Sequence, residues 1–279
     1  MKIFRLLMIT VLIMMIILLF SGPGSSLSAK APTKAKVGFG LGQKADKTVV
    51  SFDSPLSKAP VVIVSGQWNS VPWLTAAYKI TAESFKFIFY NPANHSPVDN
   101  PQSTLMQYIA VIPDPKSPIQ RAGTSTCQDG DYIKFSSKLS GNPIVVCSAE
   151  NGLGIPQYAS PYNIDSEKFQ ISLKDMDGNP AKGVVQYIAV VPGPSGIDYE
   201  NVTITAGVTD LLNNAMLDFG FNLTTPPQVM VCSAYCPGVA NIATSWFYSE
   251  KSFQGIIRNC GGADPVNLSK LYWFGISPK

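Results

Sequence analysis

The stretch Gln-Tyr-Ile-Ala-Val-Ile-Pro at residues 107–113 decides the fold, because the chain contains it more than once. It returns as Gln-Tyr-Ile-Ala-Val-Val-Pro at 186–192 and, more altered, as Tyr-Trp-Phe-Gly-Ile-Ser-Pro at 272–278. Three landmark residues precede each copy: Phe52, Val64 and Phe85; Phe135, Cys147 and Phe169; Phe219, Cys232 and Phe253. The first two landmarks are 12, 12 and 13 residues apart, and the second and third are 21, 22 and 21 apart. A repeat of about eighty residues is therefore the predicted unit of folding.

The repeat predicts three tandem domains, at 30–114, 115–194 and 195–279. Within each, short apolar runs such as Val61–Val64 and Ile144–Cys147 are typical of β-strands, and no helical period is present. Both faces of these two runs are apolar, which indicates central strands between two layers. With turn residues between the runs, the pattern predicts about six antiparallel strands in each domain.

The N-terminal segment, residues 1–29, has the pattern of a signal peptide. Lys2 and Arg5 precede the apolar run 6–20, and Ser21–Gly24 and small residues up to Ala29 follow it. The run is shorter than the roughly 20 residues of a membrane span. We therefore expect a secreted, extracellular protein; the alternative is an N-terminal membrane anchor with the rest of the chain outside the cytoplasm.

The composition excludes several classes of partner. Charged residues make up only 14% of the chain and the formal net charge is +3, without a basic stripe that carries aromatic residues. Nucleic acid is therefore not an expected partner. No other apolar run is long enough to predict a membrane span after the signal peptide is removed.

The five cysteines lie in the second and third repeats, so at least one has no partner within the chain. If consecutive strands of each repeat run in alternating directions, the strand ends that carry Cys127 and Cys147 lie on the same side of the repeat. By the same reasoning, Cys236 and Cys260 lie on one side of the third repeat. We therefore predict the disulfides Cys127–Cys147 and Cys236–Cys260, with Cys232 a free, buried thiol in the position of Val64. A Cys232–Cys236 bridge within one strand end is the strained alternative.

The pattern resembles the H-type lectin domain of the snail agglutinins and of the C-terminal module of the discoidins. The resemblance rests on Phe52-Asp53-Ser54-Pro55, Ala59-Pro60-Val61-Val62, the strand from Tyr78 to Phe85, and Tyr108-Ile109-Ala110. It implies three tandem six-stranded antiparallel β-sandwiches and an assembly of three such domains. One chain with three of them would then form that trimer within itself, as a compact pseudo-threefold monomer with a central apolar seam.

This chain has only some of the residues with which members of the family bind sugar. Galactosamine-binding members have an arginine two residues before the mid-domain tyrosine, where this chain has Ala76, Ser160 and Thr244. The family's tryptophan-histidine pair after the Phe85-like strand is also missing, although Tyr90 is retained. The specificity of the family is therefore not expected here.

A candidate carbohydrate site lies in the first repeat. Its residues are two tryptophans in the segment 67–73 and polar or aromatic side chains in the segment 90–95: Trp68, Asn69, Trp73, Tyr90, Asn94 and His95. Indoles stack on the apolar face of a sugar, and amides bond to its hydroxyls. The alternative is that Trp68 or Trp73 covers the edge of the sandwich or a contact between repeats.

Catalysis and metal binding are not predicted. The single histidine, His95, has no nucleophile or carboxylate pattern that recurs with it, so no catalytic residue is assigned. The segment 175–179 resembles a calcium loop, but it has Pro180 and Gln186 where such a loop needs glycine and glutamate. We therefore expect no cofactor and no metal site, and a turn at Asp177-Gly178 instead.

The sequence therefore predicts a non-catalytic, secreted carbohydrate-binding or adhesion protein whose partners are glycans or glycoconjugates. The alternative is a structural or assembly subunit in which the same sandwiches bind protein partners, or other copies of the chain, without a sugar pocket.

Overall fold

The computed structural model describes residues 37–43, 48–68, 71–97, 105–118, 120–193, 196–199, 201–246, 248–265 and 267–279. The predicted signal peptide lies outside the described residues, as do the side chains at positions 43, 67, 68 and 71. The described part is all-β, with one short 3-10 turn at Cys260–Gly262 and no α-helix. No helix in this part is long and apolar enough to cross a membrane.

The strands follow the three segments 30–114, 115–194 and 195–279 defined by the sequence. The first segment contains β1 (Val37–Gln43), β2 (Val49–Ser51), β3 (Val61–Trp68), β4 (Val71–Tyr78), β5 (Ser84–Asn91), β6 (Ser96–Pro97) and β7 (Leu105–Val111). The second contains β8 (Gln120–Gln128), β9 (Tyr132–Lys134), β10 (Ile144–Glu150), β11 (Pro156–Tyr162), β12 (Lys168–Lys174) and β13 (Lys182–Val190). The third contains β14 (Ile197–Asp198), β15 (Val202–Leu211), β16 (Asn214–Asp218), β17 (Val229–Tyr235), β18 (Asn241–Trp246), β19 (Ser252–Asn259) and β20 (Ser269–Pro278).

The strand order is the same in the first two segments and is matched in the third. The sheets run β1-β7-β3-β4-β5-β2 and β8-β13-β10-β11-β12-β9, all antiparallel. In each, one strand crosses from one layer to the other. In the first segment this strand is β4: its start pairs with β3, as at Gly66↔Trp73, and the rest of it pairs with β5, as at Leu74↔Tyr90. In the third segment the layers separate into β14-β15-β20-β17 and β16-β19-β18.

Each segment has its own core, and the sequence landmarks meet in it. Phe52, Phe85 and Tyr108 form an aromatic triad in the first core, with Phe85 and Tyr108 ring centroids 4.9 Å apart. Phe135, Phe169 and Tyr187 form the same triad in the second core, and Phe219, Phe253 and Trp273 form it in the third. The repeat spacing therefore places three aromatic rings against one another in each segment.

A fourth apolar cluster, which we call the seam, collects side chains from all three segments. On β3, Val62 and Val64 point into the first core while Val61 and Ile63 join the seam. The other segments contribute, among others, Ile144, Val146, Ile188 and Val190, and Ile204, Val229, Val231, Phe274 and Ile276. The two-sided burial predicted for β3 and β10 is thus confirmed, because one face lies in a core and the other in the seam.

Two glutamines cross the boundaries between segments in the same way. Gln186 of the second segment accepts a hydrogen bond from Val62 N (3.1 Å) and donates one to Ala77 O (2.7 Å) in the first. Gln107 of the first segment occupies the same place in its repeat. It accepts from Met230 N (2.9 Å) and donates to Ser245 O (3.1 Å) in the third.

The boundary between the second and third segments has different contacts, because Tyr272 stands where a third glutamine would be. Cys147 N donates to Ser233 Oγ at 2.8 Å, and Ser160 Oγ donates to Ala234 O. This boundary is also the place where two tyrosine rings stack, as described below.

Neither predicted disulfide is present, and all five cysteines are free. Cys127 lies opposite Gly183 and Cys147 opposite Tyr187 on the two sides of β13. These two positions on β13 are about 13 Å apart along the strand, beyond the roughly 7 Å between Cα atoms that a disulfide spans. Cys260 Sγ instead donates to Met176 O, 2.9 Å away in the second segment, and so does not bridge to Cys236. Cys232 is free and buried, as predicted.

Replacing Gln186 by leucine should destabilise the protein by about 2–4 kcal/mol, because Val62 N and Ala77 O are left buried without a partner. Gln107→Leu should have a similar cost, since it makes the same pair of bonds. Urea denaturation of both variants measures this, with Gln228→Leu at an exposed glutamine as the control. Costs equal to that of the control would show that the amides do not hold the segments together.

Native alkylation should modify one cysteine quickly and four slowly. Cys260 is half-buried, whereas the other four are buried, and burial raises the pKa of the Cys232 thiol to about 12 and that of Cys127 to about 11. Near pH 8 these thiols therefore stay protonated and unreactive. Iodoacetamide labelling followed by mass spectrometry checks the order, and all five should react in guanidinium. Cross-linked cysteine peptides in a non-reduced digest would contradict the free thiols.

Candidate functional site

The described residues of the tryptophan part of the predicted sugar site lie on two strands. Residues 67–73 mostly belong to the β3–β4 hairpin, and Asn69 and the Trp68 side chain lie outside the described residues. Trp73 is buried in the first core, edge-on to Phe89 with ring centroids 6.1 Å apart. The burial of its ring favours the alternative that Trp73 is part of the sandwich.

The other predicted residues form part of a contact between segments. Tyr90 is half-buried against the cluster that contains Leu74, Tyr158 and Ile242. Asn94 Oδ1 accepts hydrogen bonds from Ser96 N (3.2 Å) and Ser96 Oγ (2.6 Å), which close the turn.

His95 lies at the end of the same turn and reaches the second segment. Its backbone has φ 52°, and its Nδ1 is 3.5 Å from Asp177 Oδ1. Asp177 belongs to the segment 175–179, which forms the predicted tight turn, with Gly178 at φ 84°. The three residues Tyr90, Asn94 and His95 are thus near one another but make contacts that hold loops in place.

The positions of the family arginine are buried at the boundaries between segments. Ala76, Ser160 and Thr244 are all nearly inaccessible, and Thr244 Oγ1 accepts a hydrogen bond from Ser65 Oγ at 3.4 Å. Ser160 and Thr244 each bond to a neighbouring segment, and their small side chains permit the close packing there.

The second segment presents a different candidate site, a row of side chains on the outer face of the β11-β12-β9 sheet. Gln170 lies opposite both Tyr162 on β11 and Tyr132 on β9. Phe169 and Ile171, on either side of Gln170, are buried, so the alternation directs these three side chains outward. Tyr235 of the third segment extends the row, and its ring stacks on that of Tyr162 at 4.5 Å with an interplanar angle of 2°. We call Tyr235, Tyr162, Gln170 and Tyr132 the tyrosine row.

Polar groups surround the row and hold it rigid. Gln170 Nε2 donates to Gly130 O (2.7 Å), and Asn163 Nδ2 donates to Gln170 Oε1 (2.9 Å). Asp129 is paired with Lys174 at 2.7 Å, and both side chains are largely buried. The row therefore offers aromatic faces beside amide, carboxylate and ammonium groups whose positions are fixed.

Burial and nearby charged or polar groups raise the pKa of two of the phenols, Tyr162 and Tyr235. The pKa of Tyr162 is raised by burial and then by Tyr235, Asp129 and Tyr132, and the pKa of Tyr235 is raised by burial and by nearby Cys236 and Asp129. Neutral phenols donate and accept hydrogen bonds but are poor acids and bases at physiological pH. This arrangement is suited to binding a polar ring, with no proton transfer.

The same face is less developed in the other two segments. The corresponding rows are Tyr78, Lys86 and Val49 in the first segment and Trp246, Gln254 and Met216 in the third. Each has one aromatic residue at the position of Tyr162. The second segment adds to this the exposed Tyr132 and Tyr235 of its neighbour, which stacks on Tyr162.

A polar groove of about 460 Å³ lies elsewhere, in the third segment. It is lined by hydroxyl, amide and charged side chains, including Thr203, Asn222, Ser277, Asp198 and Lys279. Thr203 Oγ1 donates to Asp198 Oδ1 at 2.7 Å, which together with nearby Lys279 lowers the pKa of that carboxyl. Its one aromatic residue, Phe221, packs against the third core, so the groove offers a poorer stacking surface than the tyrosine row.

Sequence reasoning missed the tyrosine row because its members are far apart in the chain and come from two segments. The alternation Tyr132-Ile133-Lys134 and Phe169-Gln170-Ile171 is visible in the sequence and matches the side chains that face outward. The pairing of β12 with both β9 and β11, which brings the tyrosines together, requires the strand register.

Comparison with known proteins gives no relative: no family model matches the chain, and no curated protein or solved structure gives a significant match. Within the described residues, no cluster of histidine, cysteine, aspartate and glutamate side chains is arranged to bind a metal ion.

Proposed function

We propose that the protein is a secreted, non-catalytic carbohydrate-binding or adhesion protein, and that the tyrosine row is its binding surface. The observation that carries the proposal is the parallel, stacked pair Tyr162–Tyr235, continued across the sheet by Gln170 and the half-exposed Tyr132. Tyrosine gives a large contact area for little loss of side-chain entropy, and its hydroxyl bonds to polar groups. Such a surface fits the apolar faces and the hydroxyl rim of sugar rings in a glycan or glycoconjugate.

We further propose that the three segments are copies of one six-stranded, H-type-lectin-like sandwich and form a trimer within the chain. The equal strand orders of the first two segments and the matching layers of the third support this. The direction of the contacts supports it as well. Gln186 reaches from the second segment to the first, Gln107 reaches from the first to the third, and the third contacts the second through Ser233. Such a cyclic order is expected around a pseudo-threefold axis.

A structural or assembly role is the second candidate. Leu153, at the tip of the β10–β11 loop, is 87% exposed, while hydrogen bonds from Leu153 N and Ile155 N to Asn151 Oδ1 hold the loop in shape. An exposed leucine on a loop held in shape in this way is suited to being buried against another protein. A single residue is a small surface, and the tyrosine row is the larger one.

The intrachain trimer predicts a compact particle. The mature chain in solution should have a radius of gyration near the roughly 18 Å of a compact 250-residue globule. Small-angle X-ray scattering on a monodisperse monomer measures this value. A markedly larger radius would indicate three separate domains on flexible linkers and would contradict the proposal.

Removing aromatic rings from the tyrosine row should weaken glycan binding about tenfold for each ring, because stacking on the ring is lost. The variants Tyr132→Val and Tyr235→Gln introduce the residues that the first segment has at these positions, Val49 and Gln67, so the fold should tolerate them. A glycan array identifies the ligand of the wild-type protein, and titration calorimetry measures the variants.

Met216→Val, at the position in the third segment that corresponds to Tyr132, is the matched control and should bind as the wild type does. Circular dichroism should be unchanged in all three variants. If the wild type binds a glycan and both row variants bind it equally well, the site lies elsewhere.

A further inference from the structure

We infer that the lysine cleft at the β9 end of the tyrosine row binds the anionic group of an acidic saccharide, that is, a sulfated or carboxylated sugar. The cleft has a volume of about 450 Å³ and is lined by Lys134, Phe135, Lys138, Glu167 and Lys168. The inference rests on the proposed function and assigns a ligand class to the same surface.

The cleft and the tyrosine row are continuous. Lys168 Nζ lies 4.5 Å from the ring centroid of Tyr132, the last member of the row. Tyr132 and Lys134 both point outward from β9, with the buried Ile133 between them. A saccharide chain stacked on the tyrosines would therefore place its next unit against the ammonium groups.

Two of the lysines oppose each other across the sheet. Lys134 on β9 pairs in register with Lys168 on β12, so their Cβ atoms are about 5 Å apart, a spacing at which like charges destabilise a sheet. The corresponding pairs are Ser51↔Ser84 in the first segment and Asp218↔Ser252 in the third. The fold thus does not need a pair of lysines here, and an anion between them removes their repulsion.

The negative charges nearby are already engaged in other contacts. Glu167 is 3.2 Å from Lys138 Nζ, and Asp165 Oδ1 accepts hydrogen bonds from Glu167 N (2.7 Å) and Lys168 N (2.9 Å). Among the described residues, no carboxylate forms an ion pair with Lys134 or Lys168. The Lys168 ammonium lies over the Tyr132 ring and, with the hydrogen bond from Glu167 N, its charge helps to lower the pKa of Asp165, whereas Lys134 is exposed and is the first cation that a ligand anion meets.

Sulfate and carboxylate share the chemistry that lysine recognises, a negative charge with oxygen acceptors. Three probes of matched length separate the possibilities: an oligosaccharide of sulfated dextran, an oligogalacturonate, and neutral dextran. The wild-type protein should bind at least one acidic probe about tenfold more tightly than the neutral one. This preference should fall as NaCl is raised from about 0.05 M to about 0.5 M, because salt screens exposed charges.

The variant Lys134→Ser/Lys168→Ser, which copies the serine pair of the first segment, should lose this preference. Lys251→Ser, at an exposed lysine of the third segment, is the matched control and should keep it. Circular dichroism and the thermal midpoint should be unchanged in the double variant, since removing two opposed charges does not harm the sheet.

The outcomes distinguish the two proposals. If the wild type binds neutral and acidic probes equally, or the double variant keeps the preference, the inference is overturned while glycan binding by the tyrosine row stands. If acidic probes bind through the lysines but Tyr132→Val and Tyr235→Gln change no affinity, the cleft is an anion site and the tyrosine row is not the carbohydrate surface. If no probe binds and the glycan array is also blank, both proposals fail.

Discussion

The structure depends on one constraint: the strands β3, β10 and β17 are apolar on both faces. A sandwich alone buries only one face of a strand, and exposing the other would cost roughly 1.5–3 kcal/mol for each valine or isoleucine. The three segments satisfy the constraint together, because Val61 and Ile63, Ile144 and Val146, and Val229 and Val231 meet in the seam. The separate cores could each form locally, but the seam requires all three segments at once.

Hydrogen bonds around the seam then determine which faces of the segments contact one another. Two-sided burial brings main-chain groups such as Val62 N and Met230 N out of reach of water, and a buried N–H without a partner is costly. Gln186 and Gln107 supply both a donor and an acceptor at those points. At the remaining boundary, Ser233 accepts from Cys147 N and donates to Cys147 O, and the stacked tyrosines add an aromatic contact. The boundary that differs is also the boundary that carries the candidate binding surface.

Much of the fold could be predicted from the sequence because each repeat places apolar and aromatic core residues at the same spacing. The spacing of Phe52, Val64, Phe85 and Tyr108 marks positions that share one core, and the alternation in β9 and β12 marks the outward face. The disulfides could not be predicted in this way. They depend on which strands are neighbours, and Cys127 and Cys147 lie on opposite sides of β13 at different heights. The sequence left the position of the Trp73 ring open for a related reason, since a tryptophan beside polar residues and a proline has the same local pattern whether its ring faces water or a core.

The covalent link between the segments has a consequence for how the assembly responds to dilution. Separate chains that meet at a threefold axis dissociate as their concentration falls, so their stability varies with the amount of protein. Here the short connections 112–119 and 191–196 keep the three segments at a high effective concentration whatever the bulk concentration. The secretion we propose would dilute the protein without limit once it leaves the cell. The intrachain trimer we propose would keep its three unlike faces in fixed order at any dilution.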